Sequence, residues 1–250
     1  MPLRSLSLQL YSVRHALDED VARTIERVAG IGYTQVEASY KLMSAGPETL
    51  DALRANGLTA PTMTSPLFDV DLDDVFAKAT ELGASAVIES YLPEPYWTSL
   101  DDIVATADRL NNAAAKAADH GLRVGYHNHW WEIDQSFEDG LTALESLEAR
   151  LDPRIVFELD AYWVAVGGQD VPAYVAKLAQ RVAFLHLKDG PVNRNNIEQQ
   201  PAGKGTLPWT DILAAAPNLE AGAVEFDEYD GDIFDAIAAS HAYLNPQVQA

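Results

Sequence analysis

The segment Val124-Gly125-Tyr126-His127-Asn128-His129-Trp130-Trp131-Glu132 reads as a short strand that ends in side chains able to hold a metal or a sugar. Residues two apart on a strand share a face, so His127 and His129 point the same way. Downstream, three more apolar runs close on groups of the same kind: Val156-Phe157-Glu158-Leu159-Asp160, Phe184-Leu185-His186-Leu187-Lys188, and Ala223-Val224-Glu225. A carboxylate buried unpaired in such a run is costly, which favours one shared polar site over scattered placement. A closed barrel of alternating strands and helices brings the carboxyl ends of all its strands to one face.

Working outward from that segment, strand-length apolar runs alternate with helical spacing along the whole chain. Strands are predicted over 6–11, 34–38, 58–63, 84–90, 123–128, 155–159, 182–187 and 221–226, with helices over 18–31, 47–56, 69–82, 100–120, 137–149, 171–178, 209–216 and 233–244. Eight strand–helix units with short connections predict a single α/β domain over 1–250, a (β/α)8 TIM barrel. Glycines 57, 83 and 121 each follow a predicted helix, where a left-handed residue closes the last turn. The connection over 190–208, longer than the others, is expected to be a lid or a substrate loop.

Composition narrows the partners. With 38 acidic against 17 basic residues the formal charge is -21, which repels nucleic acid and an anionic bilayer alike. There is no cysteine, so any metal must be held by His, Asp and Glu. The chain begins without a charged-then-apolar leader and holds no apolar run of about 18 residues, which predicts a cytoplasmic protein. A homo-oligomer is compatible with all of this.

Paired imidazoles at His127 and His129 serve either as hydrogen-bonded structural groups or as metal ligands and proton carriers. Glu132, just past the strand, reaches back to the site or sits as an exposed loop carboxylate. Asp160, His186 and Glu225 each close a strand, and three successive strands ending this way favour a common metal. Surface roles suffice for His15, His120 and His241. Tyr11, Trp130, Trp131 and Trp163 lie at strand ends, where aromatic faces stack on a sugar or polyol, and Glu37 and His129 join them as expected substrate contacts. Gly203-Lys204-Gly205 is too short to be a phosphate loop, so a neutral substrate is favoured.

These motifs, together with Gln9-Leu10-Tyr11-Ser12-Val13-Arg14, Tyr126-His127-Asn128-His129 with Glu132, Phe157-Glu158-Leu159-Asp160, Leu185-His186-Leu187-Lys188-Asp189 and Val224-Glu225, resemble the sugar phosphate isomerase/epimerase family, whose barrel is xylose isomerase-like and which includes inosose dehydratase and the family-2 AP endonucleases. The resemblance implies one divalent ion (Mn, Mg, Co or Zn) held by Asp160, His186 and Glu225. Many members place a Glu in the fifth strand as the fourth ligand, and this chain has His127 there. Glu132 is therefore expected as fourth ligand, with His127 the alternative. Proton transfer is expected from Glu132, Glu225 and His127, with Lys188 stabilising a developing oxyanion. The implied function is a metal-dependent isomerase or epimerase of a sugar, keto-sugar or polyol acting through an enediolate. The alternatives are a lyase or dehydratase using the same site and a non-catalytic sugar-binding barrel.

Overall fold

The computed structural model describes residues 3–138 and 140–248. Eight parallel strands close on themselves in chain order: β1 (Leu6–Gln9), β2 (Gln35–Ser39), β3 (Thr59–Thr64), β4 (Ala86–Glu89), β5 (Arg123–His127), β6 (Val156–Asp160), β7 (Val182–Leu187) and β8 (Ala221–Val224). This is the predicted (β/α)8 barrel. β8 pairs with β1, so no sheet edge is left open.

Helices cover the barrel, and the large apolar core lies between them and the strands. Inside the barrel a smaller cluster of Ala86, Ile88, Ala183, Phe184 and Ala221 forms a separate plug. Gly125 is part of that packing, since a Cβ there would come within 2.4 Å of Ile88 Cδ1. Glycines 57, 83 and 121 take φ of 67°, 83° and 70°, the left-handed closure expected after the helices before β3, β4 and β5.

Several boundaries differ from expectation, each for a local reason. The first strand stops at Gln9 because its side-chain oxygen accepts the Tyr11 N–H at 3.0 Å and turns the chain into a 3-10 segment. Asp20, extended and accepting the Arg23 N–H, divides the first helical region into Arg14–Glu19 and Val21–Ile31. The region expected as one helix over 137–149 starts only at Ala143, where Thr142 and Glu145 form a capping box.

Register sets the site. His127 pairs with Glu158 across β5 and β6, and Asp160 pairs with His186 across β6 and β7. The alternation of a strand then carries Glu158 and Asp160, and His186 and Lys188, to the same side of their strands.

Candidate active site

Four ligand atoms from β5 to the end of β8, one each from His127, Asp160, His186 and Glu225, lie within 4.8 Å of one another, and all four residues are buried. His186 is the hub. Its Nδ1 is 2.6 Å from Glu225 Oε2, while Nε2 lies 3.0 Å from Glu37 Oε1 and 3.1 Å from Glu158 Oε2. Burial alone would depress the His186 pKa, but Glu158 and Glu225 hold it well above the usual imidazole value. Glu225 moves the other way: against burial, Lys188 and His186 keep its carboxylate well below the ordinary range.

Asp160 divides its oxygens between two tasks. Oδ1 caps the helix Ala161–Val166 by accepting the Trp163 N–H at 2.9 Å, whereas Oδ2 lies 2.9 Å from Lys188 Nζ without a hydrogen bond of normal geometry. His127 Nδ1 is likewise buried and has no hydrogen-bond partner. Burial first, and then the nearby His186 and His129, push the His127 pKa well below the usual value, so the ring is neutral and has a free lone pair.

The donor set fits a divalent ion. Lys188 Nζ reaches Asp160, Glu225 and Asp227 at 2.9, 2.7 and 2.9 Å, so carboxylates outnumber the ammonium they face. Fixed, partly unpartnered donors at this spacing are what a preformed ion site requires.

Glu132 stands outside this group. It is fully buried beneath the strand end, with Oε1 accepting the Tyr126 hydroxyl at 2.7 Å and Oε2 the His129 N–H at 2.9 Å. The short helix Trp131–Asp134 turns the Glu132 side chain back under its own loop, and His127 is the residue that groups with Asp160, His186 and Glu225. Burial raises the Glu132 pKa to about 8. Glu132→Gln is expected to keep both contacts and to retain most turnover. The folded pKa lies above the unfolded value of 4.5, so the wild type loses stability as pH rises from there through about 8, and the variant does not. Urea melts of both proteins at pH 6 and pH 9 check this: the variant should gain on the wild type at the higher pH.

Lys188 and Glu37 also differ from expectation. Neither lines the cavity above the group: Lys188 is fully committed to its three carboxylates, and Glu37 is held below by Gln9, Thr62 and His186.

The cavity has a volume of about 650 Å³, within the range usual for small-molecule sites. His127, His186 and Glu225 form part of its floor, and Tyr11, Tyr91, Trp130, Trp131 and Trp163 part of its wall. Tyr11 and Tyr91 are 51% and 59% exposed at the mouth, whereas Trp97 and Tyr162 are core residues. His129 lines the cavity with its ring stacked on Trp131, centroids 4.3 Å apart and planes 5° apart. Burial, and then Lys188, hold its pKa at about 3, so this ring too is neutral.

The loop over 190–208 contributes Arg194 and Asn196 to the cavity. It is tied at its base by Asp189, whose carboxylate accepts N–H groups from Gly190, Gly203, Leu207 and the Trp209 indole. Arg194 docks on Trp130 at 3.4 Å and pairs with Asp134 at 2.9 Å.

Sequence reasoning missed the neutral half of the site. Gln9, Ser39, Thr64 and Ser90 line the cavity, each at or just past the end of one of β1 to β4. The signal was present, since each is the polar residue that ends its apolar run. His15, given a surface role, also lines the cavity, as do Arg14 and Lys41.

The xylose isomerase-like TIM barrel profile matches residues 25–231. The inosose dehydratase of Clostridium perfringens is 28% identical over 109 residues, 43% of this chain and 33% of that protein, so the match spans about a third of the length of the curated relatives. A sugar phosphate isomerase/epimerase from Parabacteroides distasonis superposes with a TM-score of 0.82 at 23% identity, covering 100% of this chain and 96% of the other. The IOLI protein, solved with a bound zinc atom, superposes with a TM-score of 0.73 at 13% identity, covering 98% of each chain. At these identities the two structures establish the fold. No described helix is long and apolar enough to cross a membrane.

Proposed function

The chain belongs to the xylose isomerase-like TIM barrel family, and from that footing we propose that it is a divalent-metal-dependent isomerase or epimerase acting on a sugar, keto-sugar or polyol. The observation that carries this reading is the buried group of His127, Asp160, His186 and Glu225, of which His127, His186 and Glu225 floor an aromatic-walled cavity. Two imidazoles and two carboxylates favour Zn, Co or Mn over Mg. A bound ion would polarise a substrate carbonyl and its neighbouring hydroxyl, acidifying the adjacent C–H.

The chain's own residues do the rest. Trp163, Trp131 and Tyr11 offer faces to the apolar side of a sugar, and Gln9, Ser39, Thr64 and Ser90 offer neutral hydrogen-bonding groups for its hydroxyls. His129 is the group proposed to take the proton. It lies outside the ligand set, lines the cavity, and its ring is neutral. The charge it gains would be offset only where negative charge develops on the substrate beside it, so the transfer is favoured during reaction and not in the empty cavity.

A lyase or dehydratase is the second reading. The four-residue group contains one glutamate, Glu225, and has His127 where the resemblance implies a second, so a pair of metal-bound glutamates on opposite faces of the sugar is not available, and a single imidazole suffices for β-elimination. Similarity to an inosose dehydratase points the same way. Both reactions begin with loss of the acidified proton. Incubation with a panel of ketoses and keto-glycosides in deuterated buffer with Mn, followed by NMR, tests them together. An isomer or epimer carrying solvent deuterium supports the first reading and an unsaturated product the second; no product and no exchange with any substrate would overturn both.

A further inference from the structure

Glu37 lies on β2, away from β7 in the closed barrel, yet its carboxylate reaches His186 through the interior. It is fully buried, and three donors meet it: Gln9 Nε2 and His186 Nε2 at Oε1, the latter at 3.0 Å, and the Thr62 hydroxyl at Oε2. Those donors come from β1, β3 and β7, so the carboxylate is fixed from both flanks and from across the barrel. Glu158 also approaches His186 Nε2, at 3.1 Å, but its Oε2 has no hydrogen bond of normal geometry. Glu37 is the better-anchored of the two.

A neutral imidazole carries one N–H and one lone pair, and the hydrogen bond at one nitrogen decides which nitrogen keeps the proton. In His186 the nitrogen facing Glu225 and the ligand group is Nδ1, 2.6 Å from Glu225 Oε2, while Nε2 faces Glu37. Building on the metal reading above, we propose that Glu37 is a positioning residue for the ion. It accepts the Nε2–H of His186, fixes the ring's tautomer and orientation, and leaves Nδ1 as the lone pair offered to the metal. Carboxylates that brace a liganding histidine in this way also raise its basicity, and their loss weakens ion affinity by about 10- to 100-fold. A carboxylate kept only for packing would have no reason to meet the ring nitrogen opposite the ligand group, because an apolar side chain of similar volume fills a core at least as well.

The test uses the full chain, stripped of metal, as wild type, Glu37→Leu and Glu37→Gln. Mn and Zn affinities are read by competition with a chelator at one pH, and circular dichroism of the metal-free proteins checks folding. Glu37→Leu is expected to bind about 10- to 100-fold more weakly. Glu37→Gln can still present an oxygen to His186 and Gln9 with its amide toward Thr62, and is expected to stay within about fivefold of the wild type, the partial rescue a positioning role requires. A folded Glu37→Leu protein with wild-type affinity would overturn the proposal. Should that variant not fold, nitrogen NMR of the histidines in zinc-loaded wild type decides: His186 protonated at Nε2 supports the role, and protonation at Nδ1 refutes it. A wild type that takes up neither ion overturns the metal reading itself, an outcome distinct from any failure of Glu37.

Discussion

Replacing His186 with alanine is expected to abolish divalent-ion binding and nearly all turnover. Among the described residues His186 is common to both metal-capable groups, with His127, Asp160 and Glu225 on one side and Glu37 and Glu158 on the other. Removing it deletes a ligand and also leaves Glu225 and Glu37 without their imidazole partner in a buried setting, a loss on the order of 3 to 5 kcal/mol. The metal's polarising effect supplies several kcal/mol of barrier lowering, so turnover should fall by roughly a thousandfold or more. Elemental analysis of both proteins after loading with Mn or Zn reads the first consequence directly. Equal metal content would refute the site. In the wild type the same residue links binding to pH: Glu158 and Glu225 overcome the effect of burial and keep His186 protonated near neutrality, so an ion entering at Nδ1 must expel that proton. About one proton should be released per ion, and apparent affinity should rise about tenfold per pH unit below the His186 pKa. Calorimetric titration in buffers of different ionisation enthalpy counts the protons, and a count of zero would remove His186 from the ligand set.

His129→Gln should lower turnover by about 100- to 10,000-fold, the usual contribution of a positioned acid or base, while metal content stays at the wild-type level. His129 is outside the ligand group, faces the cavity, and is held by stacking on Trp131 and by its backbone N–H to Glu132. None of those supports depends on its side-chain nitrogens, so the melting temperature should move by only a few degrees. Solvent deuterium entering the substrate carbon next to the carbonyl should slow in parallel with turnover. His127→Gln is the contrast: as a member of the ligand group it should lose metal as well as activity. Wild-type exchange in His129→Gln would move the base to another cavity-lining group, with Glu225 the first candidate.

Much of this protein was legible in the chain alone. Eight apolar runs alternating with helical spacing, with glycines closing the helices before β3, β4 and β5, admit few arrangements, and a closed parallel barrel uses all of the runs. Asp160, His186 and Glu225 could be named as well, because a polar residue at the carboxyl end of an apolar strand is costly unless the fold gathers such residues together. The sequence could not decide between Glu132 and His127. They are five positions apart around a strand end, and the outcome depends on a short helix that turns Glu132 under Tyr126 and leaves His127 in the β5 register beside Glu158. Nor could it assign Glu37 or Lys188, whose partners lie 149 and 39 residues away in the chain at His186 and Asp227. Strand periodicity says which face a side chain takes, and only the closed register and depth of the barrel say whether that face meets the substrate or the layer beneath it.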